Sequence, residues 1–340
     1  MKKIKLKRTS ILWLSMLLII LAKSDALIIS MQLPINNMVF FTIWHILPIV
    51  FVLNFSILFS IRRKPIFLFV IDFAISFIFF VDMIYARGYG HLISVYMIFA
   101  KGITEGMGPS VISLIHPTDF LMFVDLPFVF LAVFKLRENN GLALPKRIAL
   151  FASTMLLTTA LFGYQLYQMR DIKVLANYTN RPLYLSPIGT HIFDIYRFVY
   201  ERNEKLNSKE VAEVDAWLKD NSKYQQPDPA YKYLEGKIKG KNLIVIQVES
   251  LESVVLNKSY YNQEITPNLN KLIGKSIYFS NINEQVKDGN SSDAELIFNT
   301  STYPISSGSA FIRFGDNTYN SIPKLLNNYG YSSVAMHGDD

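Results

Sequence analysis

The chain has 340 residues, 51% of them apolar and 18% charged, an apolar content too high and too clustered for a soluble enzyme of this length. The net charge is +7, yet residues 1–170 carry 16 basic and 7 acidic side chains while residues 171–340 carry 18 and 20. The basic excess therefore belongs to the apolar half, where it reads as membrane topology and not as nucleic-acid binding. The absence of cysteine excludes a disulfide framework, a thiolate zinc site and a cysteine nucleophile.

Five apolar stretches, near residues 11–31, 39–61, 66–86, 120–134 and 148–167, predict five transmembrane helices. Most approach the roughly 20 residues that cross a bilayer, and the fourth is short, with Asp119 and Asp125 near its start. Residues 91–100 predict a re-entrant or interfacial helix. Lys and Arg cluster at the N-terminus (Lys2, Lys3, Lys5, Lys7, Arg8), at Arg62, Arg63 and Lys64, and at Lys135, Arg137, Lys146 and Arg147, whereas the alternate connections hold only Arg87 and Lys101. This alternation places the N-terminus in the cytoplasm and everything past about residue 170 outside. Ionisable residues inside the spans are functional candidates: Lys23 with Asp25, and Asp72. Lys23 also lies close enough to the interface to snorkel. His45 and His116 read as packing or interfacial residues.

From residue 171 to about 240 the chain turns polar and reads as an amphipathic helical connector. Ile192, Ile195, Tyr196 and Val199 share one helix face, and Asn207 with Glu210 forms a capping box ahead of Val211, Val214 and Leu218. Residues 243–248, Leu-Ile-Val-Ile-Gln-Val, predict a strand buried on both faces of a parallel sheet and ending in Glu249, at the carboxyl edge where α/β sheets gather ligands. Thr266-Pro267 opens a helix with Leu269, Leu272 and Ile273 as its inner stripe, and Gly274 closes it. Residues 321–328, closed by Gly330, repeat that grammar, and residues 331–336 predict a further strand. Alternating strand and helix indicates an α/β domain with a mainly parallel sheet.

The chemical centre of this half is Gly289-Asn290-Ser291-Ser292-Asp293-Ala294-Glu295. Ser292 with Glu295 reads as a capping box, which leaves the Ser291 hydroxyl ahead of a helix N-terminus, where an anion is favoured and a phosphate could be attacked. A plain cap accounts for the same pattern. Asp293 and Glu295 read as first-turn acids that suit the helix dipole.

Glu249-Ser250 after an apolar strand, Glu264 to Leu269, Gly289 to Glu295, Tyr303-Pro304, Gly308 to Phe311, Gly315 to Tyr319, and Met336-His337-Gly338-Asp339 together resemble the lipoteichoic acid synthase family. The resemblance implies a five-helix transmembrane domain (residues 1–170), a helical extracellular connector (171–240) and the N-terminal part of a sulfatase-like, alkaline phosphatase-like domain (241–340). It implies a multi-pass protein of the cell membrane that moves glycerophosphate from phosphatidylglycerol to a polyglycerophosphate acceptor, with a bound divalent ion, Mn2+ or Mg2+. Glu249 and Ser291 match metal ligands, Ser291 matches the nucleophile where close relatives have Thr, and His337 matches a substrate-binding residue. The family's Asp-His metal pair would follow residue 340, so the 340 residues alone are expected to be incomplete and inactive. The residues leave open a non-catalytic protein that binds lipid or a full-length relative, and phosphoethanolamine transfer by the same superfamily. Ser291 lacks the Cys/Ser-x-Pro-x-Arg context of a sulfatase nucleophile.

Overall fold

The computed structural model describes residues 8–33, 38–99, 108–135, 141–169, 179–225, 229–306 and 308–336. Each apolar stretch becomes helical: α1 (Arg8–Ser30), α2 (Met38–Asn54) with a 3₁₀ turn at Phe55–Leu58, α3 (Lys64–Tyr89), a 3₁₀ segment Pro117–Phe123 leading into the α-helix Leu126–Lys135, and the helix Leu144–Met169. Among the described residues, four helical segments are long and apolar enough to cross a membrane: Arg8–Ser30, Lys64–Tyr89, Pro117–Lys135 and Leu144–Met169. The second expected span is shorter, with its apolar helix at Trp44–Leu58 and Pro48 inside it. Between the third and fourth spans lie two short helices, α4 (Val95–Phe99), inside the predicted re-entrant segment, and α5 (Gly108–Ser113). The remaining two apolar helices are then α6 (Leu126–Lys135) and α7 (Leu144–Met169).

The chain divides into two units, residues 1–199 with 305–318 and 332–340, and residues 200–304 with 319–331. The first is built on helical stripes. Leu12, Met16, Ile20 and Leu27 of α1, spaced four, four and seven apart, line one helix face and meet Leu68, Ile75 and Phe79 of α3, with Ile49 and Leu53 of α2 in the same core. Polar residues are buried alongside these stripes: Lys23, Asp72, Ser76, Asp82 and Asp119 are all covered. Arg87 forks onto Asp119 at 2.8 and 3.1 Å and also donates to the Leu114 carbonyl, tying α3 to the start of the fourth span. His45 Nε2 donates to the Leu183 carbonyl at 2.9 Å, and its other ring nitrogen lies 3.5 Å from Asp25.

Helix α8 (Arg181–Asn203) breaks at Ser186 (φ 63°), where the chain restarts as a new helix with Pro187 in its first turn and the Gly189 N–H donating to Ser186 Oγ at 3.1 Å. Gly189 permits a close approach, since a Cβ there would stand 2.9 Å from Pro48 Cγ. The inward face of α8 is partly polar. Thr190 and Asp194 are buried, while Ile195, Tyr196 and Val199 are more than half exposed. The reason is polar pairing: Asp194 accepts from Ser94 Oγ (2.8 Å) and the Val95 N–H (2.7 Å), and His191 Nε2 meets Asp82 at 2.8 Å. Of the apolar face, Ile192 packs against the core and Ile195, Tyr196 and Val199 stay on the outer side.

In the second unit, α9 (Ser208–Asn221) starts as expected. Asn207 Oδ1 accepts from the Lys209 and Glu210 N–H groups, both at 3.0 Å, and Glu210 accepts from the Asn207 N–H at 2.8 Å. The next helices are α10 (Pro267–Ile273), α11 (Ser291–Thr300), α12 (Ala310–Arg313, which belongs to the first unit) and α13 (Ile322–Asn327). In α10 the Thr266 hydroxyl donates to the Val255 carbonyl instead of capping the helix, and Leu272 is 58% exposed, so the predicted inner stripe is only partly covered.

The parallel sheet is a correction. Among the described residues the only sheet is a two-stranded antiparallel hairpin, β1 (Ser259–Tyr260) with β2 (Gln263–Glu264), turned through Tyr261 and Asn262, both at positive φ. Residues 243–248 and 331–336 carry no ladder, and Leu243, Ile244, Val245, Ile246 and Val248 are all more than half exposed. A buried strand exists only by backbone hydrogen bonding to neighbours on its edges, and residues 243–248 make no backbone–backbone bond to another described segment.

Candidate active site

The loop before α11 brings the expected residues together. Ser291 is the first residue of α11, and its hydroxyl donates to the Glu249 carboxylate. The Gln247 side-chain amide donates to the Ser291 carbonyl at 3.1 Å. Residues 247–249 are thus stapled to the first residue of a helix more than 40 positions away, the juxtaposition the sequence could propose but not demonstrate. Glu249 is exposed and Ser291 partly so, which leaves the pair accessible to a ligand. His337 lies outside the described residues.

The helix start itself differs from the expected capping box. The residue ahead of α11 is Asn290, at φ 45° and ψ −116° with no side-chain cap bond, and Ser292 lies inside the first turn with its hydroxyl donating to the Gly289 carbonyl at 2.7 Å. The Ser292 N–H bonds the Gly289 carbonyl and the Asp293 N–H the Asn290 carbonyl, so two of the amides expected to face a phosphate are engaged within the turn.

The residue that organises the loop is Asp293. It is fully buried, and its Oδ2 accepts from the Lys287 N–H at 2.9 Å and the Gly289 N–H at 3.1 Å. This folds residues 287–289 back over the first turn and fixes where Ser291 emerges. Gly289 is required by the same contact, because a Cβ there would lie 2.2 Å from Asp293 Oδ1. Reading Asp293 only as a dipole-matching acid missed this, although a glycine four residues ahead of an aspartate at a helix start was a usable signal.

Glu249 and Ser291 present a carboxylate and a hydroxyl oxygen to each other, hard donors of the kind that manganese and magnesium accept. Among the described residues no group of three His, Cys, Asp or Glu gathers at one point. The two residues therefore fit part of an oxygen-rich coordination shell. Elsewhere, Ser309 and Ala310, from the Gly308 to Phe311 motif, are buried in the first unit, where α12 packs on α4 and Arg313 stands over the Tyr96 ring at 5.7 Å.

The profile of the lipoteichoic acid synthase N-terminal domain matches residues 1–210. The chain belongs to the lipoteichoic acid synthase family. It is 31% identical over 300 residues to lipoteichoic acid synthase 2 of Bacillus subtilis (strain 168), an alignment covering 85% of this chain and 45% of the relative. It is 30% identical to lipoteichoic acid synthase 1 of the same strain over 300 residues, covering 85% and 46%. With lipoteichoic acid synthase of Staphylococcus aureus (strain USA300) the identity is 32% over 297 residues, covering 85% and 45%. The chain thus spans a little under half the length of these relatives. No solved structure matches it.

Proposed function

We propose that the protein is a phosphoglycerol transferase of lipoteichoic acid synthesis, moving glycerophosphate from phosphatidylglycerol to a growing polyglycerophosphate chain at the outer face of the cell membrane. Residues 1–170 form its membrane domain with the N-terminus in the cytoplasm, residues 171–240 an extracellular connector, and residues 241–340 the first part of a sulfatase-like catalytic domain. The observation that carries the reading is the Ser291 hydroxyl hydrogen-bonded to Glu249 at the start of α11 in a member of this family.

Ser291 acts as the nucleophile. Its proton lies on the bond to Glu249, which leaves an Oγ lone pair for phosphorus. Attack forms the Oγ–P bond and breaks the bond from phosphorus to the diacylglycerol oxygen, and diacylglycerol leaves as the alcohol with the proton that Ser291 gives up. A terminal hydroxyl of the acceptor then attacks the glycerophosphoryl-serine, forming the new phosphodiester and restoring Ser291. The α11 N-terminus stabilises the phosphate charge through its dipole. Glu249 and Ser291 would hold Mn2+ or Mg2+, which when bound supplies charge neutralisation and lowers the pKa of the attacking hydroxyl. His337 binds the glycerophosphate group. Serine in place of the threonine of close relatives keeps the attacking oxygen and drops the methyl that restricts its rotamer, so the staple from Gln247 and Glu249 takes on part of that positioning.

The test is diacylglycerol release from phosphatidylglycerol proteoliposomes with manganese, using the natural gene product. Ser291→Ala abolishes release. Undiminished turnover in that variant removes Ser291 from the mechanism.

A further inference from the structure

The membrane helices carry a second cluster of chemistry, remote in sequence from Ser291. Lys23 of α1 places Nζ 2.8 Å from Asp72 Oδ1 on α3 and 2.7 Å from Asp125 Oδ1, just ahead of α6. The same ammonium donates to Ser76 Oγ at 2.7 Å, and Ser76 donates to the Asp72 carbonyl at 2.7 Å. Lys23, Asp72 and Asp125 side chains are 8%, 0% and 15% exposed.

Two carboxyl groups thus share one ammonium. Among the described residues Lys23 is the cation bonded to either of them, because the neighbouring acids are matched elsewhere: Asp25 faces His45 of α2, Asp82 meets His191 of α8, and Asp119 is forked by Arg87. Asp72 Oδ1 and Asp125 Oδ1 both sit on Lys23 Nζ, at 2.8 and 2.7 Å, which makes the two carboxyl groups neighbours. Asp72 Oδ2, on a fully buried side chain, has no hydrogen-bond partner, and neither Asp125 oxygen has an aligned donor. Two ionised carboxylates on one ammonium would leave one uncompensated negative charge inside helices long and apolar enough to lie in lipid, an arrangement that low-dielectric surroundings strongly oppose. One proton removes both faults. It cancels the excess charge, and it supplies a donor for oxygens that have none, as in carboxyl dyads that share a proton. A metal ion fits less well, since the ammonium already occupies the space between the acids and no group of three His, Cys, Asp or Glu assembles among the described residues.

We propose that Lys23, Asp72 and Asp125, supported by Ser76, form a proton-binding site inside the membrane unit, one proton being shared between the two carboxyl groups at neutral pH. The proton comes from water, bonds to one carboxylate oxygen and is donated to the other, so binding changes the charge of the cluster from −1 to zero. The site binds or releases a proton without any covalent or redox chemistry.

Infrared difference spectroscopy of the chain in lipid nanodiscs, titrated across neutral pH in H2O and D2O, tests this. A protonated-carboxyl carbonyl band is present at neutral pH, shifts in D2O, and is lost in both Asp72→Asn and Asp125→Asn, because each leaves a single carboxylate paired with Lys23. Lys23→Met increases the band about twofold, since both acids then take protons. Asp125→Glu retains a band at a shifted frequency, and the helical circular dichroism of every variant is compared with the parent. The proposal is overturned if either asparagine variant keeps the band, or if the band appears only when sodium is replaced by choline, which would make the occupant a metal cation.

Discussion

Replacing Gly289 by alanine isolates the contact on which the position of Ser291 depends. The new Cβ would stand 2.2 Å from Asp293 Oδ1, 2.5 Å from Cγ and 2.9 Å from Oδ2, against an ordinary contact of 3.4–4 Å. Gly289 is not at positive φ, so the Asp293 carboxylate is the obstacle and backbone strain is not. The carboxylate has to withdraw by about 1 Å, enough to break its bonds from the Lys287 and Gly289 amides at 2.9 and 3.1 Å. At about 1.5–3 kcal/mol for each hydrogen bond to a charged group, the loop loses about 3–6 kcal/mol of local order. A nucleophile displaced by about 1 Å loses about 100-fold in rate. Hydrogen exchange reads the first effect as lost protection at Lys287 and Gly289, and diacylglycerol release reads the second as a fall in kcat. Asp293→Ala produces the same two losses, and adding Gly289→Ala to it costs little more, because both substitutions remove one shared interaction. Full protection and turnover in Gly289→Ala, or additive losses in the double variant, would refute the assignment of Asp293 as the positioning residue.

Arg87→Met leaves the fully buried Asp119 without its counter-ion and destabilises the membrane unit by about 3 kcal/mol, measured by unfolding in mixed micelles; a change below roughly 0.5 kcal/mol means that the pair contributes little there. His191 gives a pH dependence whose sign is fixed by its surroundings. Burial lowers its pKa, the Asp82 and Asp194 carboxylates raise it, and the net direction is upward from 6.5. Its stabilising contribution is therefore fully present below the unfolded value of about 6.5 and is lost as pH rises through the higher folded value. Thermal unfolding of the parent falls across that window, and His191→Gln flattens the dependence; an unchanged slope in the variant assigns the titration to another group.

Local pattern carried much of this structure. Hydropathy located all five apolar helices, the Asn207–Glu210 box marked the start of α9, and Pro267 and Ser321 marked those of α10 and α13, because caps and apolar runs act within a few residues. The pairings of Lys23 with Asp72 and Asp125, of Arg87 with Asp119 and of His191 with Asp82 were invisible for the opposite reason, since helix packing and not spacing selects the partner. Lys23, read as near enough to the interface to snorkel, is held inside by two carboxylates. Helix α8 shows the same limit: its apolar spacing marked an amphipathic connector, and the structure adds that Asp194 and His191 face inward while Ile195, Tyr196 and Val199 stay exposed, as suits a helix beside a membrane surface. The run at residues 243–248 has the composition of a buried strand, but composition cannot provide the neighbours that turn an extended segment into a sheet. At the candidate site, the proximity of Ser291 and Glu249 was legible as a resemblance, while the Asp293 bonds that set the loop depend on a backbone path that no residue pattern spelled out.

The central claim is that Ser291 carries the transferred group. Incubating the natural gene product with phosphatidylglycerol and manganese in the absence of acceptor, quenching, and mapping the peptides by mass spectrometry tests it directly. The account predicts a glycerophosphoryl adduct on the peptide containing Ser291, absent from Ser291→Ala and released when polyglycerophosphate acceptor is added. An adduct on another residue, or diacylglycerol release by Ser291→Ala at the parent rate, would contradict it.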